Sequence, residues 1–250
     1  MTTTRRQTAA RPVAATRSAT PREGAPAVLL TADLVVFTVR DEALHVLLVR
    51  RAAPPFAGQW AIPGGFVGER ESLEEAALRQ LREEAGVTDV YLEQLYTFGA
   101  PDRDPRGRVV SVAYYALIAA GRAPLAARGA VPGPGGARWW PVAALPTLAF
   151  DHRAILDYAL ERLRTKLEYT TVGFQLLPAK FTLTELQRVY EVILGRPLDK
   201  RNFRRKVELL GIVRPLREYR RGGVSRPARL FGFAAKRVER LKDKGILFPF

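Results

Sequence analysis

The sequence predicts an α/β protein in which a mixed domain of strands and helices is followed by a smaller, strongly basic helical domain. In the first part, apolar runs typical of strands flank a helical segment with clear start and stop signals. In the last part, two short helices precede an arginine-rich hairpin. The charge is divided too, because residues 1–24 carry +4, residues 25–169 carry −1 and residues 170–250 carry +12. The predicted segments are therefore residues 1–26, 27–168 and 169–250.

The composition is that of a globular protein, with 47% hydrophobic and 26% charged residues. The chain has no cysteine, which excludes disulfides, thiolate metal sites and cysteine nucleophiles. No run approaches the ~18 apolar residues of a membrane span, and residues 1–26 lack the apolar stretch of a secretion signal. We therefore expect a cytoplasmic protein without a membrane partner, and a disordered basic arm over residues 1–26.

The segment 27–168 has the pattern of a sheet with covering helices. Ser72 and Glu75 have the spacing of a capping box, and Gly86 can end the helix that they begin. A later helix begins at Asp151 and carries an apolar stripe. The predicted strands span residues 28–39, 44–49, 91–98 and 109–118, and the predicted turn and loops span residues 40–42, 101–108 and 121–137.

The candidate functional residues of this segment are concentrated in one motif. Residues 65–87 read GFVGERESLEEAALRQLREEAGV. On a helix, Gln80, Glu83 and Glu84 are related by i, i+3 and i+4 and share one face. The segment resembles the Nudix box, the signature of enzymes that hydrolyse nucleoside diphosphates linked to another group, and WAIPGGF at residues 60–66 is similar to that family's lead-in. The resemblance implies an α/β/α sandwich around a mixed sheet, with carboxylates that hold Mg²⁺ or Mn²⁺ against a pyrophosphate.

Gln80 departs from the Nudix pattern, which has a glutamate at this position. An amide coordinates a metal weakly, carries no charge and cannot take up a proton. We therefore predict that the domain has no catalytic residue, requires no cofactor and binds Mg²⁺ at most weakly, so that it holds a diphosphate without hydrolysing it. The alternative is a working enzyme whose base lies elsewhere.

Other residues are candidates for ligand contact. Trp60 either stacks on an adenine or belongs to the core. The arginines of loop 101–108 either meet phosphates or are solvated. The two histidines, His45 and His152, belong to no metal-like cluster of the sequence. The predicted ligand-binding residues are Trp60, Gly64, Gly65, Arg79, Glu83, Glu84, Arg103, Arg106 and Arg108, and Glu83 and Glu84 form a weak or vestigial metal site.

The basic segment has the pattern of a helix-turn-helix. Thr182 and Glu185 form a second capping box, and Gly195 can end the helix that they begin. Asp199 can cap the next helix, and Gly211 can end it. Two helices joined by a short turn suggest a helix-turn-helix.

The second helix of this pair, residues 200–210, has an apolar and a basic side. Phe203 and Val207 lie on one side, whereas Arg201 and Arg205 point almost opposite. Arginine can bind guanine edges and asparagine adenine edges, so this is the predicted recognition helix.

A predicted hairpin follows, with strands at residues 212–219 and 224–233 joined at Gly222 and Gly223. Its arginines are placed like those of the wing of a winged helix, whose natural role is contact with phosphates or the minor groove. Each basic cluster, taken alone, is also compatible with a solvated face. The predicted DNA-binding residues are Lys200, Arg201, Asn202, Arg204, Arg205, Arg217, Arg220, Arg221, Arg226 and Arg229.

The order of the two domains resembles the NrtR family of Nudix-related transcriptional regulators, through most of residues 27–235. The resemblance extends to YLEQLYTF at residues 91–98, to residues 102–114, and to LTELQ and LDKRNFR at residues 183–187 and 198–204. It implies a homodimer that binds a near-palindromic DNA operator of NAD synthesis or salvage genes. It also implies ADP-ribose as the effector that relieves repression.

Two alternatives remain open. The first is an active ADP-ribose pyrophosphatase with an accessory nucleic-acid-binding domain. The second is an RNA-processing Nudix hydrolase whose basic domain holds RNA. In the regulator, ADP-ribose must bind the DNA-competent and DNA-free forms unequally. The helix at residues 151–168 is the predicted transmitting element, and the N-terminal arm either contacts DNA or is idle.

Overall fold

The computed structural model describes residues 27–86, 90–123, 136–221 and 227–234. The predicted N-terminal arm lies outside these residues. The helices are α1 (Leu73–Ala85), α2 (His152–Tyr169), α3 (Leu183–Leu194) and α4 (Lys200–Leu210). The strands are β1 (Leu29–Arg40), β2 (Ala43–Arg50), β3 (Trp60–Ala61), β4 (Gly64–Phe66), β5 (Tyr91–Phe98), β6 (Val109–Leu117), β7 (Ala137–Pro141), β8 (Val213–Arg220) and β9 (Ala228–Phe233).

Strands β1 to β7 form one mixed sheet. β1 lies at its centre, antiparallel to β2 and β4 and parallel to β6. β5 is antiparallel to β6, and both β3 and β7 pair with β2. Asp41 and Glu42, with φ of 46° and 58°, form the tight turn between β1 and β2, where successive left-handed residues suit the twist of a two-residue hairpin. The turn predicted at residues 40–42 is therefore confirmed.

The two faces of β1 bury alternate residues under different helices. Leu34 and Val36 belong to the cluster that packs under α1. Val35 and Phe37 belong to the cluster that packs under α2. A strand that is apolar on both sides is expected when both faces of a sheet are covered. The predicted α/β/α sandwich is confirmed.

Helix α1 begins and ends where its sequence signals place it. The hydroxyl of Ser72 accepts from the backbone N–H of Glu75 (3.2 Å), and the Glu75 carboxylate accepts from the Ser72 N–H (2.8 Å). Gly86 ends the helix with φ of 63°, a conformation that glycine adopts without strain. The start and end of the helix that carries the box are therefore set by local sequence.

The short strands β3, β4 and β7 are not predicted from the sequence. β3 and β4 contain two and three residues, too few for a periodic pattern. Part of the predicted loop 121–137, residues 124–135, lies outside the described residues. At its end, Ala137 is buried and begins β7, so the predicted loop is too long at this point.

The second domain contains the predicted helix pair and hairpin. Thr182 and Glu185 form their capping box on α3, and the Asp199 carboxylate accepts from the Asn202 N–H (2.7 Å) at the start of α4. β8 and β9 pair antiparallel. This arrangement confirms the predicted winged helix.

Helix α2 connects the two domains through a shared core. Its buried stripe contains Ile155 and Leu156 near the start and Leu163 and Leu167 near the end. These residues pack in one hydrophobic cluster with strand residues of the sheet and with α3 residues such as Ile193. A rigid-body change of α2 therefore acts on both domains.

Candidate functional site

A cavity of about 400 Å³ lies beside the Nudix box, between the loop after β2, the strand β4 and the loop before β6. Its walls contain cationic side chains, aromatic side chains and carboxylates, a combination suited to an aromatic, anionic ligand such as a nucleotide. Its lining includes Asp33, Arg51, Gly64, Gly65, Phe66, Glu84, Arg103, Asp104, Arg106, Phe150 and His152.

Two arginines and two phenylalanines form one wall. Asp104 accepts three hydrogen bonds from the guanidinium of Arg106, the shortest at 2.6 Å. These bonds hold the pKa of the Asp104 carboxyl below its usual value. The Arg106 guanidinium lies 4.9 Å from the Phe66 ring centroid and 5.5 Å from that of Phe150. Arg51 lies 4.7 Å from Phe150 and donates to the Pro55 carbonyl at 2.7 Å. Both guanidinium groups are therefore held in place before a ligand arrives.

Arg103 is the most deeply placed cation of the cavity, with only 3% of its side chain exposed. It donates two hydrogen bonds to the Asp151 carboxylate, at 2.9 and 2.7 Å. The Asp33 carboxylate lies 3.8 Å away and accepts hydrogen bonds from the hydroxyls of Thr31 (3.1 Å) and Ser111. A buried arginine that keeps bidentate geometry is a strong partner for carboxylate or phosphate oxygens.

His152 is a structural acceptor. Its Nδ1 accepts a hydrogen bond from the backbone N–H of Ile62 at 3.1 Å. Burial lowers the pKa of His152, which keeps the ring neutral and able to accept. The ring also packs 5.1 Å from that of Phe150. His152 therefore fixes the loop that leads into β4.

Within the box, Arg79 holds the loop against the helix. Its guanidinium donates to Glu71 at 2.7 and 2.9 Å and to the Phe66 carbonyl at 3.1 Å. The bonds from Arg79, followed by the Gly68 N–H, lower the pKa of Glu71 to about 2. Glu83 pairs with the other side of Arg79 at 3.4 Å. Arg79 and Glu83 are not among the residues that line the cavity.

The two glycines of the lead-in are required by close approach. A Cβ on Gly64 would lie 2.0 Å from Asp33 Oδ1 and 3.0 Å from the Ala32 carbonyl oxygen. A Cβ on Gly65 would lie 2.3 Å from Nε2 of Gln80, which is 8% exposed. Gln80 is therefore packed against the β4 backbone.

The donor set on the α1 face does not match a full divalent-metal site. Gln80 supplies an amide, Glu83 is largely exposed and paired with Arg79, and Glu84 alone of the three lines the cavity. Burial, and then the charge of Glu83, raises the pKa of the Glu84 carboxyl. Among the described residues there is no group of three or more His, Cys, Asp or Glu placed to hold a metal ion. Mg²⁺ and Mn²⁺ prefer several hard oxygen ligands, and the α1 face offers them fewer carboxylates than the Nudix pattern implies.

Five of the nine predicted ligand-binding residues line the cavity: Gly64, Gly65, Glu84, Arg103 and Arg106. Trp60 instead packs edge-on against Trp140, with ring centroids 5.4 Å apart, at the margin of the core. Arg108 is exposed and donates to the Gly99 carbonyl at 2.6 Å. The structure assigns Trp60, Arg79 and Arg108 to packing and loop geometry instead of the cavity.

Sequence reasoning misses Arg51, Phe150, Asp33 and the structural role of His152. Asp33 has a detectable signal, because a single carboxylate stands inside the apolar run of β1 and charged residues are seldom buried without a partner. Arg51 and Phe150 have none, since each lies in a loop whose course depends on the whole domain.

On the second domain, α4 presents a basic outer face. Phe203 and Val207 are buried on its inner face, and the Phe203 ring packs edge-on against Tyr190 at 5.5 Å. The predicted residues Lys200, Arg201, Asn202 and Arg205 are all exposed. The division of faces predicted for the recognition helix is confirmed.

Arg204 differs from its neighbours on α4. It is half-buried and donates to the Thr184 hydroxyl at 3.1 Å. This contact ties α4 to the start of α3, so the structure assigns Arg204 to positioning of the helix pair and not to its exposed face.

The hairpin arginines fall into three groups. Arg217 and Arg221 are exposed. Arg220 and Arg229 are exposed but hydrogen-bonded, Arg220 to Glu185 and to the Lys180 carbonyl, and Arg229 to the Leu216 carbonyl. Arg226 lies outside the described residues. The hairpin is thus fastened to α3 while part of its basic surface faces outward.

An α/β/α sandwich with an altered Nudix box, joined to a winged helix with a basic recognition helix, defines a Nudix-domain protein with a DNA-binding module. The NUDIX domain family model matches residues 29–162. The model described as NrtR DNA-binding winged helix domain matches residues 173–233. The chain belongs to the NrtR family.

Two similar proteins, one of them in two solved structures, cover most of the chain or its first domain. The ADPR responsive transcriptional repressor NtrR of Acinetobacter baylyi is 38% identical over 228 residues, which are 90% of this chain and 87% of that protein. The crystal structure of Shewanella oneidensis NrtR complexed with a 27mer DNA superposes with a TM-score of 0.74 at 40% identity, covering 84% of this chain and 95% of the other. The NUDIX domain of Shewanella oneidensis NrtR complexed with ADP ribose superposes with a TM-score of 0.51 at 41% identity, covering 58% of this chain and 94% of the other.

In the described part of the chain, no helix combines the length and apolar character needed to cross a bilayer.

Proposed function

We propose that this chain is a DNA-binding transcriptional repressor whose Nudix domain binds ADP-ribose and thereby releases the operator. The observation that carries the proposal is the presence, in one chain, of an arginine-lined cavity over an altered Nudix box and an exposed basic recognition helix. Two relatives resemble both parts of this chain together. One is the ADPR responsive repressor of Acinetobacter baylyi, and the other is Shewanella oneidensis NrtR, whose crystal structure contains a 27mer DNA.

The cavity supports ADP-ribose as the ligand. Arg51, Arg103 and Arg106 offer guanidinium groups to a pyrophosphate. Phe66 and Phe150 offer apolar faces for the flat adenine and the ribose. Glu84 lines the same cavity, and its negative charge repels a diphosphate. In the described part of the chain no group of three or more His, Cys, Asp or Glu is placed to hold a metal ion that would neutralise this repulsion. The site therefore supports binding without hydrolysis.

The winged helix supports duplex DNA as the partner. Lys200, Arg201, Asn202 and Arg205 project from the exposed face of α4, the position from which recognition helices contact base edges in the major groove. Arg217 and Arg221 extend the positive surface along the hairpin, where phosphate contact is expected. Two-fold operators match two-fold proteins, and we propose a homodimer on a near-palindromic operator of NAD synthesis or salvage genes.

The test is a titration of operator DNA with the purified protein, by fluorescence anisotropy at fixed salt, with and without ADP-ribose. The DNA is a duplex from the promoter region next to the protein's own gene. Tight, sequence-selective binding that ADP-ribose weakens is the expected result. Weak binding that is indifferent to both sequence and ADP-ribose would sink the proposal.

A second candidate is an ADP-ribose pyrophosphatase, favoured by one observation: Arg79 and Glu71 hold the loop and helix of the box together. A working hydrolase releases AMP from ADP-ribose when Mg²⁺ is added. We expect the wild-type protein to release no AMP above background. Release of AMP by a Gln80→Glu variant would show that the missing third carboxylate is what prevents turnover in the wild type. Rapid Mg²⁺-dependent turnover by the wild type would establish the hydrolase instead.

A further inference from the structure

Helix α2 begins with an aspartate that does not cap it. Ser72, Thr182 and Asp199 each accept a backbone N–H at the starts of α1, α3 and α4. Asp151 occupies the same position on α2, but its backbone, with φ of −89° and ψ of 16°, lacks the extended geometry of the other three. Its side chain makes no capping hydrogen bond. Aspartate is among the preferred N-cap residues. Among the four α-helices of the described residues, α2 is therefore the exception.

The Asp151 carboxylate is held elsewhere, by a residue of the ligand cavity. Both of its oxygens accept from the Arg103 guanidinium, at 2.9 and 2.7 Å. Arg103 is almost fully buried and lines the cavity. A diphosphate that enters the cavity offers Arg103 a second bidentate partner. At the start of α2, the N–H groups of Ala154 and Ile155 donate to the Asp151 carbonyl, at 2.9 and 3.2 Å, and that of His152 donates to the Ala149 carbonyl at 3.3 Å. The carboxylate thus has two alternative partners, the Arg103 guanidinium and the remaining N–H, that of Arg153.

The residue before Asp151 has a conformation that the surroundings must hold. Phe150 has φ of +53°, in the left-handed region that bulky side chains rarely occupy. Its ring lies in the cavity, against Arg51 and Arg106. Such strain persists only where contacts over-determine it. A ligand that displaces the Phe150 ring therefore removes contacts that hold this backbone conformation, and so changes the geometry at the start of α2.

The other end of α2 is fastened to the DNA-binding domain. Nε of Arg164 donates to the carbonyl of Ile193, in the last turn of α3, at 2.8 Å. Leu163 and Leu167 are fully buried in the core that contains Ile193. An 18-residue helix spans about 27 Å and moves as a rigid element, so a shift at Asp151 reaches α3 and, through the short turn, α4.

We propose that Asp151 is a two-position switch between the effector cavity and the DNA-binding domain. Without ligand it pairs with Arg103 and leaves α2 uncapped. When the diphosphate of ADP-ribose draws Arg103, the backbone at Asp151 takes the extended geometry of the other caps and the carboxylate accepts the Arg153 N–H. The resulting movement of the helix withdraws α4 from DNA. The inference rests on the proposed function, because it supplies the differential contact that ADP-ribose needs in order to change DNA affinity.

The test compares three variants in the operator titration described above. Asp151→Asn cannot hold Arg103 as an ion pair but can still cap a helix. Asp151→Ala can do neither. Asp157→Asn removes a charge from the same helix, where Asp157 pairs with the exposed Arg153, and is the matched control. ADP-ribose affinity is measured separately by calorimetry.

In the wild type and in Asp157→Asn, ADP-ribose weakens operator binding by about 5–150-fold, the usual range of such couplings. Asp151→Asn, without ligand, has the weak operator affinity of the ADP-ribose-bound wild type, and ADP-ribose weakens it further by less than about threefold. Its affinity for ADP-ribose rises, since Arg103 no longer has to leave a carboxylate. Asp151→Ala also binds ADP-ribose more tightly, but keeps the operator affinity of the free wild type and loses the response.

Normal operator affinity and normal response in Asp151→Asn would overturn the switch, as would loss of its ADP-ribose binding, because the proposal requires tighter binding. Equal loss of operator affinity in Asp151→Asn and Asp151→Ala would show that the ion pair alone matters and would overturn the capping step. A wild-type protein indifferent to ADP-ribose overturns the proposed function itself. A responsive wild type with an unaltered Asp151→Asn variant overturns only the switch.

Discussion

The cavity and the recognition helix both depend on arginine, but they hold it differently. In the cavity, Arg103 and Arg106 are paired with carboxylates and their guanidinium groups have fixed positions. On α4, Arg201 and Arg205 are exposed. A small diphosphate needs fixed donors, because little binding energy is available to order them. A long polyanion instead supplies many phosphates, so exposed cations that release counterions are sufficient.

This difference predicts that DNA binding at α4 and ligand binding in the cavity depend differently on salt concentration. Binding at α4 is strongly weakened by salt, because each phosphate contact releases counterions. Binding in the cavity depends less on salt, since partly buried charges are less screened. Substitutions on α4 should therefore change DNA affinity alone, and substitutions in the cavity should change the affinity for ADP-ribose.

The largest expected effect is on DNA binding. Arg201→Ala combined with Arg205→Ala should weaken operator affinity by about 100-fold or more, since each arginine that contacts a base or phosphate contributes ~1–3 kcal/mol. Fluorescence anisotropy at fixed salt measures it, and the salt slope should also fall. Arg162→Ala removes an exposed arginine from α2 and is the control. Equal losses in the control and the double variant would mean that only overall charge matters.

The next effect is on ADP-ribose. Arg106→Ala should weaken its binding by about 10–100-fold, because a charged hydrogen bond contributes ~1.5–3 kcal/mol, while operator affinity without ligand stays unchanged. Isothermal titration calorimetry measures the affinity. Arg108→Ala changes an arginine two residues away that donates to the Gly99 carbonyl outside the cavity. If Arg108→Ala loses as much affinity as Arg106→Ala, the cavity is not the effector site.

A third substitution tests the backbone of the cavity. Gly64→Ala should destabilise the protein by ~1–3 kcal/mol, because its Cβ meets Asp33 Oδ1 and the Ala32 carbonyl. A thermal melt should show the lower Tm. Gly68→Ala is the matched control, since its Cβ has ordinary contact, 3.5 Å from Glu71. An unchanged Tm in Gly64→Ala would contradict the close approach of β4 to β1.

The smallest expected effect concerns Glu84. Burial, and then the charge of Glu83, raises the pKa of its carboxyl above the ordinary value, so the group takes up a proton at higher pH than an ordinary glutamate does. Because the neutral form no longer repels a diphosphate, ADP-ribose should bind more tightly as pH falls. Glu84→Gln should bind about threefold more tightly at pH 7 and lose this part of the pH dependence. Glu83→Gln, which is exposed and outside the cavity, should keep the wild-type profile; identical profiles in both variants would remove Glu84 from the site.

The features predicted correctly from sequence are those with local causes. The capping boxes at Ser72 and Thr182 act over three residues and fix where α1 and α3 begin. The 100° spacing of Phe203 and Val207 fixes which side of α4 is buried, and therefore which side is basic. The features predicted wrongly or not at all depend on contacts between distant residues.

Arginines show this limit clearly. Arg103, Arg106 and Arg108 are equivalent in the sequence as candidates for phosphate contact, and Arg79 is a further candidate for ligand contact. Arg103 and Arg106 line the cavity, whereas Arg79 and Arg108 hold loops, and nothing in the neighbouring sequence distinguishes them. Which role each one takes depends on where the chain folds back, and the partner of Arg103 lies 48 residues away.

The sequence by itself determined the two domains, the altered box and the basic recognition helix, because hydrophobic period, capping and charge are properties of neighbouring residues. Only the tertiary structure decided which side chains line the cavity and how the cavity contacts the start of α2. Asp151 is of a residue type that commonly caps helices, but a buried arginine brought close by the fold holds its carboxylate instead. The link between the two domains therefore exists only in the folded molecule.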